Sequence, residues 1–134
     1  MSNTRNIFIS HRWYSNEYDK IKEWLENAPY YKFSDYSITV EKRLEELSDK
    51  ELEEKIAERI KRCSVFIVPT SMRIYHSKWM QFEIDTAVKA EKPIVAVTPN
   101  GQEREAIYVT RNATTKVGWR SDSVLNAVIE LTKS

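Results

Sequence analysis

The chain has 134 residues, 41% of them hydrophobic and 31% charged, which suits one domain over residues 1–134 with a core of its own. Its formal net charge of +1 gives no general reason to expect nucleic acid or an anionic membrane as a partner. No apolar run is long enough to cross a bilayer, the N-terminus lacks the apolar stretch of a secretory leader, and Cys63 is the single cysteine. A cytoplasmic protein is therefore expected.

Residue types that many nucleotide and metal sites need are scarce in this sequence. The only glycines are Gly101 and Gly118, which excludes the glycine-rich loops that cradle phosphates in dinucleotide- and triphosphate-binding proteins. A bound phosphate would have to be held by arginines or helix N-termini. The two histidines and the cysteine do not have the spacing of metal ligands, so no metal site is predicted.

Short apolar stretches alternate along the chain with longer amphipathic ones. Strands are predicted over residues 6–10, 36–40, 65–68, 94–97 and 115–117. Helices are predicted over residues 16–27, 48–62, 78–91 and 121–132, with a short helix compatible with residues 103–109. Strands joined by helix-length crossovers form right-handed βαβ units. The pattern thus predicts an α/β fold, a flavodoxin-like three-layer sandwich around a mostly parallel five-stranded sheet in the order 2-1-3-4-5.

Ligands of such sheets bind beyond the carboxyl ends of the strands, at the switch point between strands 1 and 3. Ser10, His11 and Arg12 follow the first predicted strand, and Thr70 and Ser71 follow the third. These five residues are candidate substrate-binding residues, although a surface role is the more common one for an arginine such as Arg12. The same positions exclude a phospho-receiver domain, which needs carboxylates there to hold Mg²⁺ and accept the phosphoryl group.

The helix predicted over residues 78–91 carries one carboxylate on its apolar side. On a helical wheel, Glu83 falls near the middle of a broad apolar arc and lies one turn from Trp79. A buried carboxylate costs several kcal/mol unless it is paired or protonated. Two interpretations stay open: a structural ion pair, for instance with Arg12, or a catalytic or ligand-binding carboxylate beside an aromatic wall.

Four segments of the chain resemble a known family when taken in order. Residues 7–11 resemble the Phe-Ile-Ser-Tyr/His opening of TIR and TIR-like domains, and residues 79–87 resemble their Trp-x-x-x-Glu-Ile helix with its following alanine. Residues 92–101 and 117–119 are similar to segments of the bacterial TIR-like branch, whose best-known members are the ThsB-like TIR proteins of Thoeris anti-phage defence. The resemblance covers nearly the whole chain and implies a TIR-like fold.

This resemblance implies an activity and assigns residues to it. Catalytic members of the family cleave NAD between nicotinamide and ribose, and the Thoeris members make a cyclic ADP-ribose isomer that activates a separate effector. The family's catalytic glutamate corresponds to Glu83, its aromatic neighbour to Trp79, and the residues after its first strand to His11 and Arg12. The expected ligand is therefore NAD or a related nucleotide as substrate, with no separate cofactor, and self-association into a homo-oligomer is compatible with the family.

Two other functions remain open at this point. Some TIR domains are interaction modules that signal by assembly without chemistry, and this chain could be one of them. A nucleoside ribosyltransferase-like enzyme would also combine such a sheet with a catalytic glutamate. NAD loss with release of nicotinamide would distinguish the NAD-cleaving enzyme from both of these. Base exchange between free nucleosides would identify the ribosyltransferase-like enzyme.

Overall fold

The computed structural model describes residues 4–10, 17–29, 31–35, 37, 48–70, 78–99 and 104–133. Strands and helices alternate along these residues. In chain order they are β1 (Thr4–Ile9), α1 (Glu17–Glu26), β2 (Lys32–Asp35), α2 (Asp49–Arg62), β3 (Val65–Pro69), α3 (Lys78–Lys89), β4 (Ile94–Val97), α4 (Ile107–Asn112), β5 (Thr115–Val117) and α5 (Ser121–Leu131).

The five strands form one parallel sheet in the order β2-β1-β3-β4-β5, which confirms the predicted fold class and strand order. β1 and β3 lie side by side in the middle of the sheet, with Phe8 opposite Phe66. The chain leaves β1 toward β2 on one side and returns to β3 on the other. The switch point of the fold therefore lies between β1 and β3.

Both faces of the sheet are covered, as all-parallel sheets require. One face packs against α2, α3 and α4 around a layer that includes Phe8, Phe66, Val68, Met80 and Ile84. The opposite face packs against α1 and α5 through the alternate strand residues. This second layer consists of Ile7, Ile9, Ile21, Leu25, Val65, Ile67, Val95, Val97, Val124 and Val128.

The helix α2 begins and ends where its sequence signals place it. Ser48 is the N-cap of a capping box, because its hydroxyl accepts from the Glu51 N–H at 3.2 Å and the Glu51 carboxylate accepts from the Ser48 N–H at 3.3 Å. Cys63 is the C-cap and is buried in the core. Burial raises the pKa of its thiol to about 11, so Cys63 is a protonated structural residue at neutral pH.

The second strand was predicted too late in the chain. β2 runs from Lys32 to Asp35, whereas the alternating pattern had favoured residues 36–40, of which only Ser37 is described and lies outside the strand. The ladder with β1 ends at the pair Ile7 and Asp35, and beyond it the Asp35 carboxylate accepts the Ser37 N–H at 2.9 Å.

The short helix compatible with residues 103–109 begins and ends later than predicted. α4 spans Ile107–Asn112, because the residues directly before it are held at the carboxyl ends of the strands. The Ala106 N–H donates to the Thr70 carbonyl at 2.8 Å, and the Glu105 carboxylate contacts Thr98 and Lys116. The chain before Ile107 is thereby tied to the ends of the strands instead of winding into a helix.

The helix α3 ends two residues earlier than predicted, in a Schellman motif. The Lys92 N–H donates to the Ala87 carbonyl and the Glu91 N–H donates to the Val88 carbonyl, both at 3.0 Å. Glu91 occupies the left-handed position of this motif with φ 56°. Such a conformation costs an L-residue with a Cβ atom about 1–2 kcal/mol and costs glycine almost nothing.

We expect Glu91→Gly to raise the free energy of unfolding by about 0.5–1 kcal/mol, because relief of the left-handed strain exceeds the entropy that glycine loses on folding. Urea unfolding at neutral pH measures the change. Glu91→Ala is the matched control, since it removes the same carboxylate and keeps Cβ. A glycine variant no more stable than the alanine variant would show that the position is unstrained.

Candidate active site

The candidate site begins at the carboxyl ends of the two central strands. Ser10 and Thr70 come directly after β1 and β3, and both continue the ladder through their backbones. The Ser10 N–H donates to the Ile67 carbonyl at 2.9 Å, and the Thr70 N–H donates to the Val97 carbonyl at 3.1 Å. These two residues therefore stand at the switch point that the fold defines.

Strand alternation directs both side chains to the same face of the sheet. Ser10 follows Phe8 by two residues and Thr70 follows Val68 by two, and both of these apolar residues belong to the layer under α2, α3 and α4. Ser10 and Thr70 are fully buried. The polar ends of the central strands thus extend the apolar layer on which α3 packs.

The Thr70 hydroxyl stands out among these groups. Both backbone groups of Thr70 are hydrogen-bonded, to the Val97 carbonyl and the Ala106 N–H. Its side-chain oxygen Oγ1 is buried and has no hydrogen-bond partner among the described residues. A buried hydroxyl without a partner costs about 1–3 kcal/mol, so this oxygen is suited to bind a polar group of a ligand.

Glu83 lies on the side of α3 that faces the sheet. It is the sixth residue of this twelve-residue helix, and its side chain has 0% exposure. Met80, Ile84 and Ala87 on the same side are buried in the first core layer. The apolar arc is narrower than the wheel predicted, because Val88 is 43% exposed.

Helix direction places Glu83 toward the switch point. A crossover helix runs antiparallel to the strand before it, so α3 begins at the carboxyl edge of the sheet and ends near the start of β4. Trp79 and Glu83 therefore lie in the half of α3 that is nearer to Ser10 and Thr70. Trp79 is half-buried one turn before Glu83, and its ring packs edge-on against Phe82 with centroids 6.2 Å apart.

Ser10, Thr70 and Glu83 are the buried polar or charged residues of the described part of the chain. A carboxylate among apolar side chains has a strong field because little solvent screens it, so it can stabilise a cation that develops beside it. His11, Arg12 and Ser71 lie outside the described residues, and so does an ion pair between Glu83 and Arg12. Their assignments stay predictions.

A second polar cluster lies at the end of β2, beside β1 and α1. The sequence patterns had not indicated it. The Tyr18 hydroxyl donates to Asp35 Oδ2 at 2.5 Å, and Lys22 Nζ lies 3.6 Å from the same oxygen. Ser37 donates its N–H to Asp35 Oδ1 and accepts the Ile9 N–H on its hydroxyl at 2.7 Å. An aspartate two residues before a serine is a turn signal that could have indicated part of this cluster.

The titration of the pair follows from these contacts. Burial favours the protonated form of Asp35, but the hydrogen bonds from Ser37 and Tyr18 and the charge of Lys22 outweigh it and lower its pKa. Burial, together with the hydrogen bond and charge of Asp35, raises the pKa of Tyr18. The pair is therefore an ionised carboxylate with a neutral phenol throughout the physiological range.

We expect Asp35 to contribute to stability in a pH-dependent way. A carboxyl whose pKa is lowered on folding stabilises the native state above its unfolded pKa of about 3.9, and this contribution fades as pH falls through the folded value. The stability difference between the wild type and Asp35→Asn should be constant from about pH 7 to 5 and shift in favour of the variant below about pH 4. Urea unfolding of both proteins across this range measures it, and a pH-independent difference would contradict it.

Two cavities bounded by described residues have linings without any of the predicted site residues. One of about 480 Å³ lies near the C-terminal ends of α3 and α4, beside Lys92 and Arg111. Another, of about 260 Å³, lies between α2 and α3 beside Lys61 and Phe82. Neither is lined by a predicted site residue.

The described residues give two further findings on ligands and surroundings. They contain no cluster of three or more His, Cys, Asp or Glu side chains that could hold a metal ion. None of the helices formed by these residues is long and apolar enough to cross a membrane.

The fold and its buried polar residues define the class: a doubly wound α/β domain with a candidate ligand site at the β1/β3 switch point. The model of the family described as "Thoeris protein ThsB, TIR-like domain" matches residues 8–104, which is well over half of the chain. The chain belongs to this TIR-like family, as the sequence motifs had indicated. Membership indicates a role in Thoeris anti-phage defence.

Among solved structures, the chain is similar to the Clostridium botulinum CMP N-glycosidase BcmB. The two share 12% sequence identity with a TM-score of 0.60, and the match covers 93% of this chain and 99% of that chain. At this identity the similarity establishes a shared fold. Comparison with curated proteins gives no match.

Proposed function

We propose that the protein cleaves NAD between nicotinamide and ribose and releases a cyclic ADP-ribose-type signal that activates a separate effector. The observation that carries this proposal is the burial of Glu83 on the sheet-facing side of α3, in the layer that also holds Ser10 and Thr70. Membership of the ThsB TIR-like family supports it.

The proposed reaction needs a negative charge at one position. When the bond between C1′ and nicotinamide breaks, its electron pair leaves with nicotinamide and C1′ of the ribose becomes cationic. Glu83 stabilises this cation or orients the ribose hydroxyls, as carboxylates do in glycosidases. A nucleophilic nitrogen of the adenine or a hydroxyl of the second ribose then bonds to C1′ and closes the cyclic product, with loss of one proton to solvent. Attack by water gives linear ADP-ribose instead.

The remaining predicted residues would bind the substrate around Glu83. Trp79 offers an aromatic face to nicotinamide or adenine, in addition to its contact with Phe82. The Thr70 hydroxyl would bind a polar group of the substrate, since no described residue forms a hydrogen bond with it. Arg12 would pair with the pyrophosphate in place of a glycine-rich loop, with Ser10, His11 and Ser71 beside it.

Mass spectrometry of NAD incubated with concentrated protein tests this proposal. Nicotinamide together with a product that has the mass of cyclic ADP-ribose is the expected result, and linear ADP-ribose alone would support NAD cleavage without cyclisation. CMP and free nucleosides serve as parallel substrates, because the enzyme that shares this fold is named as a CMP N-glycosidase. Release of the base from CMP or from a nucleoside, without loss of NAD, would show that NAD is not the substrate.

A module that signals by assembly alone would give a different set of results. Saturable self-association without loss of NAD, measured by analytical ultracentrifugation and the same mass assay at matched concentrations, would favour that function. An enzyme that needs assembly for activity would instead show NAD loss that rises with the oligomeric fraction. The two measurements together therefore separate these functions.

A further inference from the structure

The hydrogen bond between Ile9 and Ser37 takes the place of a backbone hydrogen bond between β1 and β2. Neighbouring residues of a parallel strand direct their N–H groups to opposite sides, and the Ser10 N–H points to β3. The Ile9 N–H therefore points toward β2. Ile7 lies opposite Asp35, so Ile9 would lie opposite Ser37, and a continued β2 would offer it a backbone carbonyl. The Ser37 hydroxyl accepts this N–H instead, at 2.7 Å.

Asp35 fixes Ser37 in this position and reaches α1 as well. Its Oδ1 accepts the Ser37 N–H at 2.9 Å, and its Oδ2 accepts the Tyr18 hydroxyl at 2.5 Å. Tyr18 is the second residue of α1, and Lys22, one turn later, lies 3.6 Å from Oδ2. The carboxylate thus joins the end of β1 to the beginning of α1.

The residues joined in this way flank one connection of the chain. Residues 10–16 link β1 to α1, so both ends of this link are tied to Asp35, one through Ser37 and the other through Tyr18. Ser10 is the first residue of the link and one of the buried polar residues at the switch point. The Ser10 N–H is bonded to the Ile67 carbonyl on the β3 side, and the contact of Ile9 with Ser37 holds the preceding residue on the β2 side, so loss of the ties would loosen Ser10 relative to Thr70 and Glu83.

We propose that Tyr18, Asp35 and Ser37 are positioning residues that hold the carboxyl end of β1, and with it Ser10, in the geometry that substrate binding requires. This inference rests on the proposed NAD-cleaving function of the site. The three residues act through the backbone of β1 and need not touch the substrate. Their loss should weaken substrate binding more than it slows the chemical step at Glu83.

Steady-state kinetics with NAD tests this role. Tyr18→Phe removes one hydroxyl and keeps the ring packed against the second core layer. We expect it to raise KM by about 3- to 10-fold, the worth of one hydrogen bond, with kcat within about 2-fold. Asp35→Ala should raise KM at least as much. A KM unchanged in both variants would overturn the inference.

The conservative variant Asp35→Asn separates positioning from a direct role of the charge. An asparagine can accept the Ser37 N–H on its amide oxygen and donate its NH₂ to the Tyr18 oxygen, so both ties survive. We expect KM within about 2-fold of the wild type. A KM as high as that of Asp35→Ala would show that the negative charge itself matters and would overturn positioning through hydrogen bonds.

Tyr108→Phe is the matched control. Tyr108 on α4 donates its hydroxyl to Asp85 on α3, so the variant deletes the same kind of tyrosine–aspartate hydrogen bond without touching β1. KM should stay at the wild-type value. A KM increase equal to that of Tyr18→Phe would show that loss of any such pair weakens binding, and it would overturn a specific role for Tyr18.

Hydrogen exchange keeps this test separate from the test of the proposed function. Amides of the peptide that contains Ile9 and Ser10 should exchange faster in Tyr18→Phe and Asp35→Ala than in the wild type, whether or not NAD is turned over. If the wild type consumes no NAD, the proposed function fails. The exchange rates alone then show whether these residues hold the end of β1. Unchanged rates would overturn the inference in either case.

Discussion

Glu83→Gln should abolish NAD consumption, with a loss of at least about 100-fold in the rate of nicotinamide release. The amide keeps the volume of the side chain and one oxygen but removes the negative charge, and that charge opposes the cation at C1′. The effect is expected to be large because Glu83 is fully buried, where solvent does not screen its field. Nicotinamide release measured by mass spectrometry over a time course gives the rate.

The fold should survive this substitution, so lost activity would report chemistry. Thermal unfolding of Glu83→Gln should stay close to that of the wild type, since the amide keeps the volume of the side chain and one oxygen that accepts hydrogen bonds. Asp85→Asn is the matched control, because Asp85 is an exposed carboxylate on the same helix, two residues further on. Its activity should stay close to that of the wild type. Equal turnover by Glu83→Gln and the wild type would reject Glu83 as the essential carboxylate.

The sequence predicted the elements whose determinants are local. β3 and β4 are continuous apolar runs buried on both faces, and their bounds were predicted to within one residue. α2 carries its own start signal at Ser48. β2 was misplaced because it has one apolar residue, Phe33, and lies at a sheet edge, where pairing with β1 decides which residues form the strand.

The residues of the site region also differ in whether local sequence patterns predict them. Glu83 could be found from sequence because helical periodicity alone places it on the apolar side of α3, and its burial follows from that pattern. The contacts of Asp35 with Tyr18 and Lys22 could not be found in this way, because both partners belong to α1 and meet Asp35 only in the folded domain. Spacing along the chain carries no signal of such a contact.

Phe66→Ala should lower the free energy of unfolding by about 3–5 kcal/mol, the usual cost of emptying a buried aromatic position. Phe66 is the second residue of β3 and is fully buried, and its ring lies 5.6 Å from that of Phe8, its partner across the ladder. Domains of this size have free energies of unfolding of about 5–15 kcal/mol, so the variant should lose a large part of its stability. Urea unfolding at neutral pH measures the loss.

The size of this loss tests how the first core layer is built. Ile107→Ala is the control, because its side chain is 66% exposed on α4 and its truncation should change stability by no more than about 0.5 kcal/mol. If Phe66→Ala costs only about 1 kcal/mol, the helices α2 and α3 collapse into the vacated space and the layer is not rigid. Glu83 is held by the same packing of α3, so a rigid layer is also what would keep its carboxylate fixed. A cost near 4 kcal/mol would therefore support a preorganised position for that carboxylate.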